Sequence, residues 1–104
     1  MIRSFDAPAT ATTHTEADGG LTSLASLAES GGLASGVWSH DVGESDGDFG
    51  AEMFVVLEGR GVVTDQYGGR IDLAPGVVGV LEAGDLTHWT ITEPLRKVWI
   101  VAQD

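Results

Sequence analysis

The sequence predicts an all-β fold, a sandwich or a barrel of short strands, and three observations carry that prediction. From Gly36 onward, short apolar runs recur at Gly36–Val42, Met53–Leu57, Gly61–Thr64, Arg70–Leu73, Val77–Leu81, Leu86–Thr92 and Lys97–Ala102. Between them stand Glu58-Gly59, Tyr67-Gly68-Gly69, Ala74-Pro75-Gly76, Ala83-Gly84-Asp85 and Glu93-Pro94, residues that favour tight turns. No amphipathic helix separates the runs, which argues against an alternating α/β plan.

A chain of 104 residues with 42% hydrophobic side chains, three of them Trp and three Phe, can fill one core and not two. Residues 36–104 carry that core. Residues 1–35 are rich in Ala, Thr, Ser and Gly, and read as an N-terminal arm or as extra strands packing on the barrel or on a partner. Within them Leu24, Leu27 and Ala28 have helical spacing before the Gly31-Gly32 stop, so a short helix over 21–30, a lone strand and a docking arm are all compatible with the pattern.

Alternation assigns faces to the strands, because neighbouring side chains point to opposite sides of a sheet. Trp38 and His40 share a face, and an inward-facing His40 could carry a proton near neutral pH. The stretch after it, with Gly43, Gly47 and Gly50 around Asp46 and Asp48, reads as a flexible acidic loop. Glu52, Phe54 and Val56 form one face of the next strand. A carboxylate among apolar neighbours needs a cation, a donor or a proton, so Glu52 is a ligand anchor, a general acid or base, or one end of a buried pair with Lys97 or Arg96. Tyr67 belongs to a hairpin tip and is expected to be exposed. Further on, Thr87, Trp89 and Ile91 face the barrel interior, whereas His88 faces the other way. Trp38, Phe54, Trp89 and Trp99 supply aromatic bulk for the core.

Sixteen acidic and five scattered basic residues give a formal charge of −11, which disfavours nucleic acid and anionic lipid as partners. With no cysteine, disulfides, zinc thiolate sites and thiol nucleophiles are excluded. The start of the chain shows no apolar leader and no run approaches the length of a membrane span, so a cytoplasmic location is expected.

Two segments together resemble the cupins. Glu52-Met-Phe-Val-Val-Leu-Glu-Gly59 matches the second half of the first cupin motif, and Gly76-Val-Val-Gly-Val-Leu-Glu-Ala-Gly84 follows the glycine spacing of the second. Gly-Val-Trp38, Gly84 followed by Trp89, and Glu93-Pro94-Leu-Arg96-Lys97 are similar to the small cupins related to (S)-ureidoglycine aminohydrolase and ethanolamine-utilisation proteins. This resemblance covers about residues 36–102. It implies a double-stranded β-helix, or jelly-roll barrel, commonly a homodimer. Metal-binding cupins carry His-x-His before the motif glutamate and a further His in the second motif; here those places hold Asp46, Asp48 and Thr87. No cofactor or transition metal is therefore expected, and an oxygen-ligated divalent ion would have only Asp46, Asp48 and Glu52 to use.

The function expected from these features is small-molecule binding in a pocket lined by Trp38, His40, Glu52, Phe54, Trp89 and Lys97. Glu52 and His40 would be the catalytic candidates if the chain is instead an enzyme acting on a small nitrogenous or carbonyl metabolite. A non-catalytic structural homodimer is the remaining alternative.

Overall fold

The computed structural model describes residues 2–48 and 50–102. Eight strands follow one another: β1 (Thr13–His14), β2 (Thr22–Ser30), β3 (Leu33–His40), β4 (Gly43–Asp48), β5 (Glu52–Thr64), β6 (Arg70–Leu73), β7 (Val78–Leu81) and β8 (Leu86–Ala102). Every pairing is antiparallel, and the only helical pieces among the described residues are two 3-10 turns, Ala7–Ala9 and Glu16–Asp18. No helix among them is long and apolar enough to cross a membrane.

β5 and β8 hold the barrel together, because each is long enough to serve both of its halves. In one half the order runs β1-β2-β3-β8-β5-β7, with β8 contributing residues from Leu95 onward. In the other, β4 pairs with β8 at Leu86–Ile91 and β6 pairs with β5 at Gly61–Thr64. The two strands stay paired across the bend, through register shifts between Val56 and Gly61. Such bulges turn a strand without ending it.

Two expected turns are corrected by this arrangement. Glu58-Gly59 and Glu93-Pro94 read as strand breaks, yet both lie inside continuous bent strands, with Glu58 opposite Arg96 and Arg60 opposite Glu93. The physical reason is visible at Gly59. Its φ is +94°, and a Cβ there would stand 2.2 Å from the Pro94 carbonyl oxygen and 2.5 Å from Leu95 Cα. The glycine allows one strand to cross closely over the other at the corner.

One open reading is decided and one further expectation changes. The segment 22–30 is a strand rather than a helix: Thr22–Ser30 pairs along β3, with Leu24 opposite Trp38 and a bulge between Ser26 and Ala28. The Ser-Leu-Ala-Ser-Leu-Ala repeat satisfies a helical period and a bulged strand equally, and pairing with β3 decides between them. The acidic stretch is also a strand, since Gly43–Asp48 pairs with Ile91–Leu86, placing Asp46 opposite His88.

The core lies between the two halves. Trp38, Phe54, Val56, Val63, Leu73, Leu81, Trp89, Ile91 and Leu95 are buried there, so Phe54 and Val56 sit with Trp89 as alternation assigned them. Met53 on the other face of β5 is exposed, as is Tyr67 at its hairpin tip. On the outer face, Arg96 donates hydrogen bonds to the carbonyls of Ala7 (3.0 Å) and Thr10 (2.8 Å), holding the N-terminal segment against the barrel.

The corner makes a sharp prediction. Gly59→Ala meets backbone as well as an unfavourable φ and should cost about 2–4 kcal/mol in urea unfolding. Gly68→Ala also has positive φ but open space around it, and should cost about 1–2 kcal/mol. Equal costs would remove the close crossing as the reason for Gly59.

Candidate functional site

The inner face of the barrel concentrates the polar chemistry at one place. Lys97, on β8, is 1% exposed and Glu52, at the start of β5, is 6% exposed. Lys97 Nζ donates to Glu52 Oε2 at 2.5 Å. Of the two cations expected as partners for Glu52, the structure selects Lys97. Arg96 is the next residue, and strand alternation turns it to the outer face, where it meets the N-terminal segment and lies 3.9 Å from Glu58.

Around this pair stand the other expected site residues. Lys97 Nζ lies 4.7 Å from the Trp38 ring centre, 4.6 Å from that of Phe54 and 4.5 Å from that of Trp89. The Trp38 and Trp89 rings are 5.0 Å apart, Phe54 and Trp89 5.8 Å, and Trp38 meets the His40 ring edge-on at 5.3 Å. Phe54 is seated by a glycine, because a Cβ on Gly79, its partner across β7, would fall 2.2 Å from the ring. All six residues expected to line a pocket therefore share one cluster, but not one cavity.

A cavity of about 220 Å³ opens beside the pair, lined by Leu24, Trp38, Glu52, Lys97, Trp99 and Val101. Three of the expected residues, Trp38, Glu52 and Lys97, line it. Phe54, Trp89 and His40 do not, being packed deeper or elsewhere. His40 Nδ1 lies 2.5 Å from the Asp41 carbonyl and Nε2 2.8 Å from Ser45 Oγ. A carbonyl only accepts, so Nδ1 carries a proton and Nε2 takes the Ser45 hydroxyl proton in the neutral ring. Sequence reasoning missed Leu24 and Val101 and counted Trp99 only as core. The alternation Thr22, Leu24, Ser26 held the signal for Leu24.

Electrostatically the pair is held against burial. Desolvation pushes the Lys97 amine below its ordinary 10.5, with Glu52 pulling the other way by charge and hydrogen bond. Among the described residues no donor other than Lys97 reaches Glu52 within hydrogen-bond distance. Glu52 is bonded to Lys97 through Oε2 and is also one of the residues that line the cavity.

The described candidate ligands do not converge on one point. Asp46, at the first expected ligand place, is exposed and 2.7 Å from His88 Nδ1 on the outer surface, while Glu52 is buried against Lys97. Asp48 ends β4, and its side chain lies outside the described part of the structure. Thr87, at the place of the second-motif histidine, donates to the Gly47 carbonyl at 3.1 Å and accepts from Trp89 Nε1 at 3.0 Å. Among the described residues no group of three or more ligand-type side chains is arranged to hold an ion.

The family model for the EutQ-like cupin domain matches residues 27–99. The chain belongs to that family. No curated protein matches this cupin domain in sequence. Among solved structures, it is similar to the ethanolamine utilization protein Q of Salmonella typhimurium LT2, with 19% identity, TM-score 0.69, and 78% of this chain and 68% of that one covered. Clostridium difficile EutQ aligns over 95% of this chain and 78% of its own at 13% identity, with TM-score 0.81. The cupin domain of Schizosaccharomyces pombe Cnp3 aligns over 97% and 74% at 19% identity, with TM-score 0.78. At these identities the likeness concerns the fold, a jelly-roll β-barrel.

Outside this cupin barrel, His88 forms a second charged cluster. Its Nε2 lies 2.9 Å from Glu44 and its Nδ1 2.7 Å from Asp46, so only the imidazolium can donate to both carboxylates. These contacts raise the His88 pKa above its ordinary 6.5, the Glu44 hydrogen bond leading, and His88 lowers Glu44 below its ordinary 4.5. For a base raised in the folded state, the stabilisation is full below pH 6.5 and lost as pH rises through the folded value; for Glu44 it is present above 4.5 and lost as pH falls. An NMR titration of the His88 ring should give a midpoint above 6.5, falling in Glu44→Gln. A midpoint unmoved by that change would discount the cluster.

Proposed function

We propose that this cupin domain binds a small organic molecule in the cavity beside Glu52 and Lys97, without a transition metal. The observation that carries the reading is Glu52, a buried carboxylate bonded to Lys97 through Oε2, which also lines a cavity whose remaining walls are largely apolar. Small-ligand sites combine an apolar lining with a few oriented polar groups in this way. Its ligand is one with a hydrogen-bond donor for Glu52 and a compact apolar body for Leu24, Trp38, Trp99 and Val101. At about 220 Å³ the cavity suits a molecule of a few heavy atoms, smaller than the ~300–1,000 Å³ sites of drug-sized ligands. The catalytic alternative has less support, because His40 is bonded through both nitrogens and does not line the cavity.

A thermal-shift screen against small alcohols, amides, amines and carboxylates tests this. A true ligand at a hundred times its Kd should stabilise by about 2.7 kcal/mol. Glu52→Gln should abolish that response, whereas Tyr67→Ala at the exposed hairpin should leave it intact. A response that survives Glu52→Gln would place the ligand elsewhere.

We also propose that two copies associate through the outer face of β7, β5 and β8. The register sets Val80 beside Met53 and Met53 beside Ile100, all exposed, and Val78 extends the row. In a chain of net charge −11 this uncharged row is where two copies can meet with the least repulsion. Sedimentation at micromolar concentration should show a dimer that Ile100→Glu dissociates. A monomer in the unmodified protein would end this reading while leaving the cavity untouched.

A further inference from the structure

An ion pair needs one carboxylate, and Lys97 has far more around it than that. Among the described residues, aromatic rings from β3, β5 and β8 stand 4.5–4.7 Å from its Nζ, and Glu52 bonds to it on another side. Each ring is well inside the ~6 Å over which a ring attracts a cation, and attraction of this kind strengthens when water is excluded, as it is at 1% exposure. Aromatic walls plus one anionic contact are the means by which proteins recognise alkylammonium ions. Here the recognised group is the tip of the chain's own side chain. The adjoining cavity shares Trp38, Glu52 and Lys97 with this enclosure, which gives a free molecule a route to it.

We propose that the centre of the barrel is an alkylammonium-binding cage occupied by Lys97, and that it accepts a free primary alkylammonium ion once that side chain is shortened. The proposal stands on the enclosure of the ammonium and does not depend on the cavity holding a ligand in the intact protein.

Lys97→Ala removes Cγ through Nζ, the atoms of n-propylammonium, which is therefore the probe. The variant should melt well below the intact protein. Millimolar n-propylammonium should raise its Tm saturably by roughly 5 °C or more. Equal concentrations of n-propanol or sodium chloride should not, and the intact protein, its cage filled, should gain far less from n-propylammonium than the variant does. Adding Phe54→Leu to Lys97→Ala should raise the half-saturating concentration about fivefold. Equal stabilisation by n-propanol, or none in a folded variant, overturns the proposal.

If Lys97→Ala does not fold, Lys97→Cys provides the test, since the chain has no other cysteine. Alkylated while unfolded with 2-bromoethylamine, the thiolate displaces bromide and forms a C–S bond, leaving a cationic thioether of lysine's length. Alkylation with 1-bromopropane leaves a neutral one. Only the cationic form should refold, to a Tm within about 5 °C of the intact protein. Refolding of both forms, or of neither, overturns the cage.

Discussion

Lys97 brings a full positive charge into the middle of an apolar barrel, where burial disfavours it and pushes its pKa down. What offsets that cost is distributed over three strands: Glu52 and Phe54 from β5, Trp38 from β3 and Trp89 from β8 itself. Buried pairs contribute little net stability compared with a well-packed apolar pair, but removing one partner costs ~3–5 kcal/mol, because the other charge is left stranded. The interaction therefore works mainly as a constraint. β3, β5 and β8 have to hold their relative register for the ammonium to find all its neighbours. The rest of the inner face is arranged around that requirement, including Gly79, which leaves room for Phe54, and Thr87, which fixes the indole nitrogen of Trp89.

That register is delivered by two long strands that bend together instead of ending. A barrel made of separate short strands would need turns at the corner, and turns would uncouple Glu52 from Gly61 and Lys97 from Ile91. Bulged pairing between β5 and β8 keeps both halves in one hydrogen-bonded sheet. The glycine that closes the Glu52–Gly59 motif earns its place through contact with Pro94 and Leu95, not through its own flexibility alone. Thus the motif's two ends serve one purpose: Glu52 sets the charge and Gly59 lets the strand bring it there.

Much of this was legible in the sequence, and the reasons for the rest are specific. Period-two alternation correctly put Glu52, Phe54 and Val56 together and turned His88 away from Thr87, because the sheet offers only two faces. The choice of Lys97 over Arg96 followed from the same parity but required knowing that β8 continues past Pro94. Glu58-Gly59 and Glu93-Pro94 have the composition of turns, and only their mutual pairing makes them bulges. Leu24 was hidden by a repeat that fits two periods. Asp46 looked like part of a flexible loop because glycines flank it, but pairing with β8 and a histidine opposite supply order that composition does not record. His40 was read as a proton carrier from its face alone, and Ser45, five residues away, is what engages it.

Arg96 and Lys97 are adjacent, and their opposite directions give the molecule two different flanks. Outward-pointing Val37 is fully buried, and Arg96 binds Ala7 and Thr10 over the same side of the sheet. Among the described residues the flank built from β7 and the nearby part of β5 has no such covering, and Met53, Val78 and Val80 are exposed there. One side of the barrel is thus upholstered by its own leading segment and the other is left unfinished. The lopsidedness means that the two flanks differ in chemistry, one carrying polar backbone contacts to its own leading segment and the other an apolar strip.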